Sequence, residues 1–140
     1  MHNCTILSGK EVSDQVYRNL QDRVELLFEN NIRPGLAAVL VGENPASKIY
    51  IKMKTKKFHN LGLKTKTFKL SVDCSQEELI QVIEKINNDS SFHGILVQLP
   101  LPNHIDSNSI INSIHPEKDV DGFHPENAGL LSIGTPRFIP

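Results

Sequence analysis

Apolar side chains recur along this chain in two alternating rhythms. Over residues 11–31 they stand at Val12, Val16, Leu20, Val24, Leu27 and Phe28, the stripe of a helix, with Pro34 and Gly35 as the stop. Residues 36–41 form an unbroken apolar run that ends at Gly42, short and partly β-branched, as in a strand buried on both faces. Residues 43–46 read as a loop. Ser47 reads as the N-cap of a helix reaching about Leu61, with Gly62 as its C-terminal stop. Residues 65–70 follow as a second strand. Ser75 with Glu78 three positions later forms a capping box, opening a helix with Leu79, Val82, Ile83 and Ile86 on one face. Residues 94–98 are a third buried-strand run, closed by Leu99, Pro100, Leu101 and Pro102. A short helix capped near Asp106 carries Ile110, Ile111 and Ile114.

Helix and strand thus alternate three times. That order builds an α/β fold in three layers: a mostly parallel sheet with helices on both faces. In such sheets ligands bind outside the carboxyl ends of the strands. Two segments fall there, the Gly42 loop with its following helix, and Val97, Gln98, Leu99 and Pro100.

Bulk properties narrow the function classes. The 140 residues suit one domain, covering 1–140, and the formal net charge of −1 gives no reason to expect a nucleic-acid or membrane-surface partner. Cys4 and Cys74, the two cysteines, stand in no metal-type or CxxC spacing, so free thiols in a reducing compartment are expected. No signal-peptide pattern or membrane-length apolar run is present, and a cytoplasmic location is expected. The six histidines show no ligand spacing, and no metal site is expected.

Chemistry enters through one lysine. Lys48, Lys52 and Lys56 share one stripe of the helix over residues 47–61, at about 100° per residue. Lys54 points nearly the other way, among Ser47, Tyr50, Ile51, Lys57, Phe58 and Leu61. Two readings fit such a lysine. It can snorkel past the edge of the core to solvent, or it can be desolvated, with its pKa drawn down toward neutrality, and act as a general acid or base. Tyr50, one turn earlier, reaches the same patch and offers a platform for a flat heterocycle. Gln98, a lone amide at the end of a buried strand, either ties down a neighbouring loop or meets Lys54 or a ligand. Asp119 and Asp121, two apart before Gly122, supply too few oxygens for a metal. Asp119 can brace the turn, and Asp121 can face paired N–H donors such as those of a pterin.

Three segments together resemble one family. VGENPASKIYIKMKTK at residues 41–56, followed by Leu61, Gly62 and Leu63, is similar to the first signature of the methylenetetrahydrofolate dehydrogenase/cyclohydrolase family. GILVQLPLP at 94–102 resembles its second, and HPEKDVDGF at 115–123 with Asn127, Ala128 and Gly129 its third. The resemblance covers essentially the whole chain, in order and with the family's spacing.

It implies a catalytic, folate-binding domain, the N-terminal half of a two-domain enzyme. The parent enzyme oxidises methylenetetrahydrofolate with NADP and hydrolyses the methenyl product to formyltetrahydrofolate, in one-carbon metabolism and purine biosynthesis. A homodimeric parent is also implied. By the same resemblance Lys54 is the catalytic acid/base, Gln98 hydrogen-bonds it and sets its protonation, Tyr50 stacks along the folate, and Asp121 holds the pterin. Val97 and Leu99 complete the substrate-binding set. The sequence ends at Arg137, Phe138, Ile139 and Pro140, where the family continues into a nucleotide domain, and nothing matches GxGxxG. NADP is therefore expected to be held mainly by a C-terminal domain outside this chain, leaving this chain alone without dehydrogenase activity. Exposed apolar surface is expected around Leu130, Leu131 and Ile139. Two other classes stay open on the residues: a binding module without turnover, and a Schiff-base enzyme using Lys54.

Overall fold

A computed structural model describes residues 8–140; Cys4 lies outside them. The chain divides after Arg33 into two compact units. The described part of the first is a single helix, α1 (Gly9–Glu29). It stops before the Pro34–Gly35 pair that the sequence suggested. Asn30 Nδ2 bonds back to the Leu26 carbonyl at 2.8 Å, and Asn31 adopts a left-handed φ of 58°. Asparagine tolerates that conformation better than most residues carrying a β-carbon. Of the apolar stripe, Val24 is buried, whereas Val12 and Val16 are exposed.

The second unit is built on β1 (Gly35–Val41), whose seven residues are all buried. Two strands, β2 (Lys64–Leu70) and β3 (Gly94–Val97), flank it, both parallel to it, in the order β2-β1-β3. Successive β1 side chains point to opposite faces and feed two cores. Leu36, Ala38 and Leu40 pack with Leu96 and with Ile51 and Phe58 of α2 (Pro45–Asn60). Ala37, Val39 and Val41 pack with Leu79, Ile83 and Ile86 of α3 (Gln76–Asn87) and Ile110 of α4 (Ser107–Ser113). Helices therefore cover both faces of a parallel sheet, the α/β arrangement that the alternation of elements implies.

The helix starts show how local chemistry sets boundaries. At α3 the capping box is complete: the Glu78 N–H donates to Ser75 Oγ at 3.1 Å, and the Ser75 N–H to Glu78 Oε2 at 2.8 Å. Asp106 caps α4 by accepting from the Asn108 and Ser109 N–H groups. At α2 the cap is Asn44, not Ser47. Its side chain accepts the Ser47 N–H at 3.1 Å, so Ser47 is a donor inside the helix. Pro45 takes the first helical position, where a missing N–H costs nothing, and residues read as loop join the helix.

A further helix, α5 (Pro125–Ser132), has no counterpart in the sequence expectations. Its eight residues include Pro125 and Gly129, which read as turn formers, and its apolar positions form no clear stripe. His124 caps it by accepting the Glu126 N–H at Nδ1. Around its end Leu131, Ile133 and Ile139 are exposed, and Leu130 is half-buried. Among the described residues no helix is long and apolar enough to cross a membrane.

Candidate active site

The face of α2 that meets the sheet carries Ser47 and Ile51, both buried, and half-buried Phe58. Lys54 lies on the same side, while Lys48, Lys52 and Lys56 are exposed. Its side chain is 30% exposed, so it is only partly withdrawn from water. The ammonium sits 4.6 Å from the centre of the Tyr50 ring, one turn back, and 3.8 Å from Asp121 Oδ1. The first is a cation–π contact and the second an ion pair.

The second wall comes from the end of β3. The Gln98 N–H donates to the Val39 carbonyl at 2.9 Å, carrying the sheet one residue past Val97 and fixing where Gln98 and Leu99 leave it. The Gln98 side-chain amide donates to the Leu99 carbonyl at 2.7 Å. This is the loop-bracing arrangement; the ionic partner of Lys54 is Asp121 rather than Gln98.

The third wall is the turn at residues 119–123. Asp119 is almost fully buried and accepts the His124 N–H at 2.8 Å and Asn127 Nδ2 at 3.0 Å. It thereby braces the turn. Gly122 turns the chain with a φ of 69°, a conformation suited to glycine. Asp121 is left facing Lys54. Burial pushes its carboxyl above the ordinary carboxylate range, an effect that Lys54 offsets only in part and that nearby Asp119 reinforces.

These walls enclose a cavity of about 260 Å³ lined by Tyr50, Lys54, Val97, Gln98, Leu99, Asp121 and Phe123. The six residues singled out from the sequence thus line one cavity. Phe123 is the addition. It belongs to a quoted motif but was given no role, and its 55% exposure beside a left-handed glycine is a feature of the folded turn. A larger but shallow hollow of about 570 Å³ lies between the end of β2 and α3, beside Leu70, Cys74, Glu78 and Lys85. We place the site at the smaller cavity because it gathers a cation, a carboxylate, an amide and two aromatic rings at the carboxyl end of the sheet. Among the described residues no three His, Cys, Asp or Glu side chains cluster as metal ligands.

Fold and site together define an α/β domain with a small cavity at the carboxyl end of its parallel sheet, lined by a lysine, a carboxylate, an amide and two aromatic rings. The comparisons specify the family. The chain belongs to the tetrahydrofolate dehydrogenase/cyclohydrolase family: the model of that family's catalytic domain matches residues 7–121. It is 49% identical to the bifunctional protein FolD of Enterococcus faecalis over 97% of the chain and 48% of that relative. The FolD protein of Zymomonas mobilis is 47% identical, over 100% of the chain and 48% of its own length. The crystal structure of the bifunctional enzyme FolD from Campylobacter jejuni superposes with a TM-score of 0.93 at 44% identity, covering 97% of this chain and 49% of that one. That of Trypanosoma brucei FolD, complexed with NADP cofactor and inhibitor, gives 0.88 at 32% identity over 95% and 46%. The chain spans about half the length of the curated relatives it matches.

Proposed function

We propose that this chain is the folate-holding, proton-transferring half of a bifunctional enzyme of one-carbon metabolism. The enzyme oxidises methylenetetrahydrofolate to methenyltetrahydrofolate with NADP, then hydrolyses it to formyltetrahydrofolate. The observation that carries the reading is the Lys54–Asp121 pair beside the Tyr50 ring at the mouth of β3. Asp121 accepts the paired N–H donors of the pterin, Tyr50 stacks along the folate, and Val97 and Leu99 provide apolar walls. Gln98, held by the Leu99 carbonyl, shapes the strand end beside Lys54.

In the hydrolytic step, water adds to the methenyl carbon, the carbon–nitrogen bond to one ring nitrogen breaks, and the carbon stays as a formyl group on the other nitrogen. One proton is released overall. Lys54, as the neutral amine, takes a proton from the attacking water and, as the ammonium so formed, gives it to the departing nitrogen; Asp121 orients that ammonium between the two transfers, and the remaining water proton is released as the formyl C=O forms.

The described residues of this chain do not fit NADP. A dinucleotide needs a glycine-rich strand-to-helix turn that presents free N–H groups to phosphate. Here Gly42 is followed by Glu43, whose carboxylate pairs with Lys48, and Asn44 occupies the Ser47 N–H. No step of the oxidation is therefore assigned to a nucleotide bound by these residues. NADP belongs to a further domain of the parent enzyme, which we also propose to be a cytoplasmic homodimer. A cavity of about 260 Å³ encloses only part of a folate, consistent with a second wall from that domain.

The test is to supply this chain separately with methenyltetrahydrofolate, and with methylenetetrahydrofolate plus NADP. Formyltetrahydrofolate should appear in the first mixture and no reduced nucleotide in the second. Tight folate binding with no hydrolysis would replace this reading with a binding module. Robust reduction of NADP would overturn the half-enzyme claim.

A further inference from the structure

Asp121 and Phe123 reach the cavity from a turn outside any helix or strand, so something behind the turn must fix them. The backbone is bridged to β3 at Asp119 and Ile95, and a chain of side-chain hydrogen bonds reaching into α5 and beyond adds to that support. Asp119, 2% exposed, accepts from Asn127 Nδ2 at 3.0 Å. Asn127, 5% exposed, also donates to the Pro116 carbonyl at 2.7 Å. Its oxygen accepts from one terminal nitrogen of Arg137 at 3.0 Å, and the other terminal nitrogen pairs with Glu126. The Asp119 carbonyl in turn accepts the Gly122 N–H at 3.2 Å, closing the turn that presents Asp121.

Arginine matters here because its guanidinium only donates. An amide can rotate by half a turn and exchange its oxygen and nitrogen. With Arg137 in place the Asn127 oxygen must face the guanidinium, and the NH2 must face Asp119. The Asp119 carboxylate and the Pro116 carbonyl hold the NH2 on the other side, so without Arg137 the oxygen of the nearly buried Asn127 loses its donor. A buried acceptor left without its donor is costly, and the turn can shift to let water reach it.

We propose that Arg137 is a positioning residue for the candidate site: through Asn127 and Asp119 it holds the 119–123 turn so that Asp121 and Phe123 line the cavity. It is not among the residues that line the cavity. The effect on folate affinity rests on the function proposed above; the effect on the turn does not.

The test therefore uses two readouts on the same proteins: tetrahydrofolate affinity by calorimetry, and titration of the Asp121 carboxyl by carbon NMR. Arg137→Met should weaken tetrahydrofolate binding about tenfold, the equivalent of one charge-assisted hydrogen bond. It should also move the Asp121 midpoint back toward the ordinary carboxylate range as water enters. Arg137→Lys, which keeps the charge and one donor, should recover part of both. Glu126→Gln, which only loosens Arg137, should shift both slightly in the same direction and guards against a Met variant that fails to fold. An Arg137→Met protein that binds and titrates like the unaltered chain overturns the proposal. If the unaltered chain binds no tetrahydrofolate, the functional reading fails, and the Asp121 titration alone decides whether Arg137 holds the turn.

Discussion

Replacing Lys118 by methionine removes one ammonium from three backbone carbonyls. Lys118 Nζ donates to Asn87 at 2.7 Å, Asp89 at 2.9 Å and Ile86 at 3.1 Å, all at or just past the end of α3. A helix leaves its last four carbonyls without partners, and its C-terminus carries partial negative charge, so a cation there both satisfies and complements it. It also ties α3 to the segment that leads into Asp119 and Asp121. Hydrogen bonds to a charged group contribute about 1.5–3 kcal/mol each in favourable cases. The three share one half-exposed ammonium, and water can replace it at the outermost carbonyl, so their sum is heavily discounted. Methionine keeps most of the aliphatic stem, so packing is nearly preserved. The expected loss is about 2 kcal/mol, or a fall in Tm of about 5–8 °C for a chain of this length. Urea unfolding of Lys118→Met beside Lys85→Met, which removes another lysine from the last turn of α3, measures it. The Lys85 variant should stay within about 0.5 kcal/mol of the parent, as surface substitutions usually do. Equal losses in the two variants, or no loss at Lys118, would refute the capping argument.

Three further outcomes follow from individual environments. Burial raises the Asp121 carboxyl, so the folded protein holds that proton more tightly than the unfolded chain. The ionised group therefore costs stability at neutral pH, and the cost disappears as pH falls through its folded midpoint toward about 3.9. Asp121→Asn should thus be at least as heat-stable as the parent at pH 7 while binding tetrahydrofolate about 10- to 100-fold more weakly; a marked loss of stability contradicts this. The Cys74 thiol is buried and its pKa is raised, first by burial and then by Glu78. Its alkylation by iodoacetamide, followed by peptide mass spectrometry to separate it from Cys4, should be at least about tenfold slower in the folded protein than in urea. At Gly35 a β-carbon would lie 2.1 Å from the Ser91 carbonyl oxygen, a backbone atom. Gly35→Ala should cost about 2–3 kcal/mol in urea unfolding, and a neutral result would show that the loop at Ser91 yields freely.

The parts legible in the sequence were those that a short window determines. The apolar runs that became β1 and β3, the strand pattern of β2 and the Ser75–Glu78 capping box depend on neighbours a few residues away. The separation of Lys54 from Lys48, Lys52 and Lys56 and the nearness of Tyr50 follow from helical geometry alone; Gln98 and Asp121 were candidates from their own segments, and the family resemblance supplied the roles. Cap assignments failed where two candidates competed. Asn44 and Ser47 can each cap a helix, and Pro45 at the first helical position decides for Asn44. Likewise Asn30 and Asn31 end α1 before Pro34 can. The three carbonyls held by Lys118 and the Arg137–Asn127–Asp119 chain were not legible, because they join residues whose proximity only the folded chain creates.

The central claim is that Lys54, and not the lysines on the opposite stripe, carries the proton in hydrolysis. Lys54→Met and Lys52→Met make a matched pair: same residue type, same helix, opposite sides. The measurement is the rate of formyltetrahydrofolate production from methenyltetrahydrofolate for both variants, with thermal unfolding recorded alongside. The Lys54 variant should lose about 10²- to 10⁴-fold in turnover, the usual contribution of general acid–base catalysis, with little change in stability. The Lys52 variant should retain the parent rate. Equal losses in the two proteins, or normal hydrolysis by Lys54→Met, would contradict the assignment of the site.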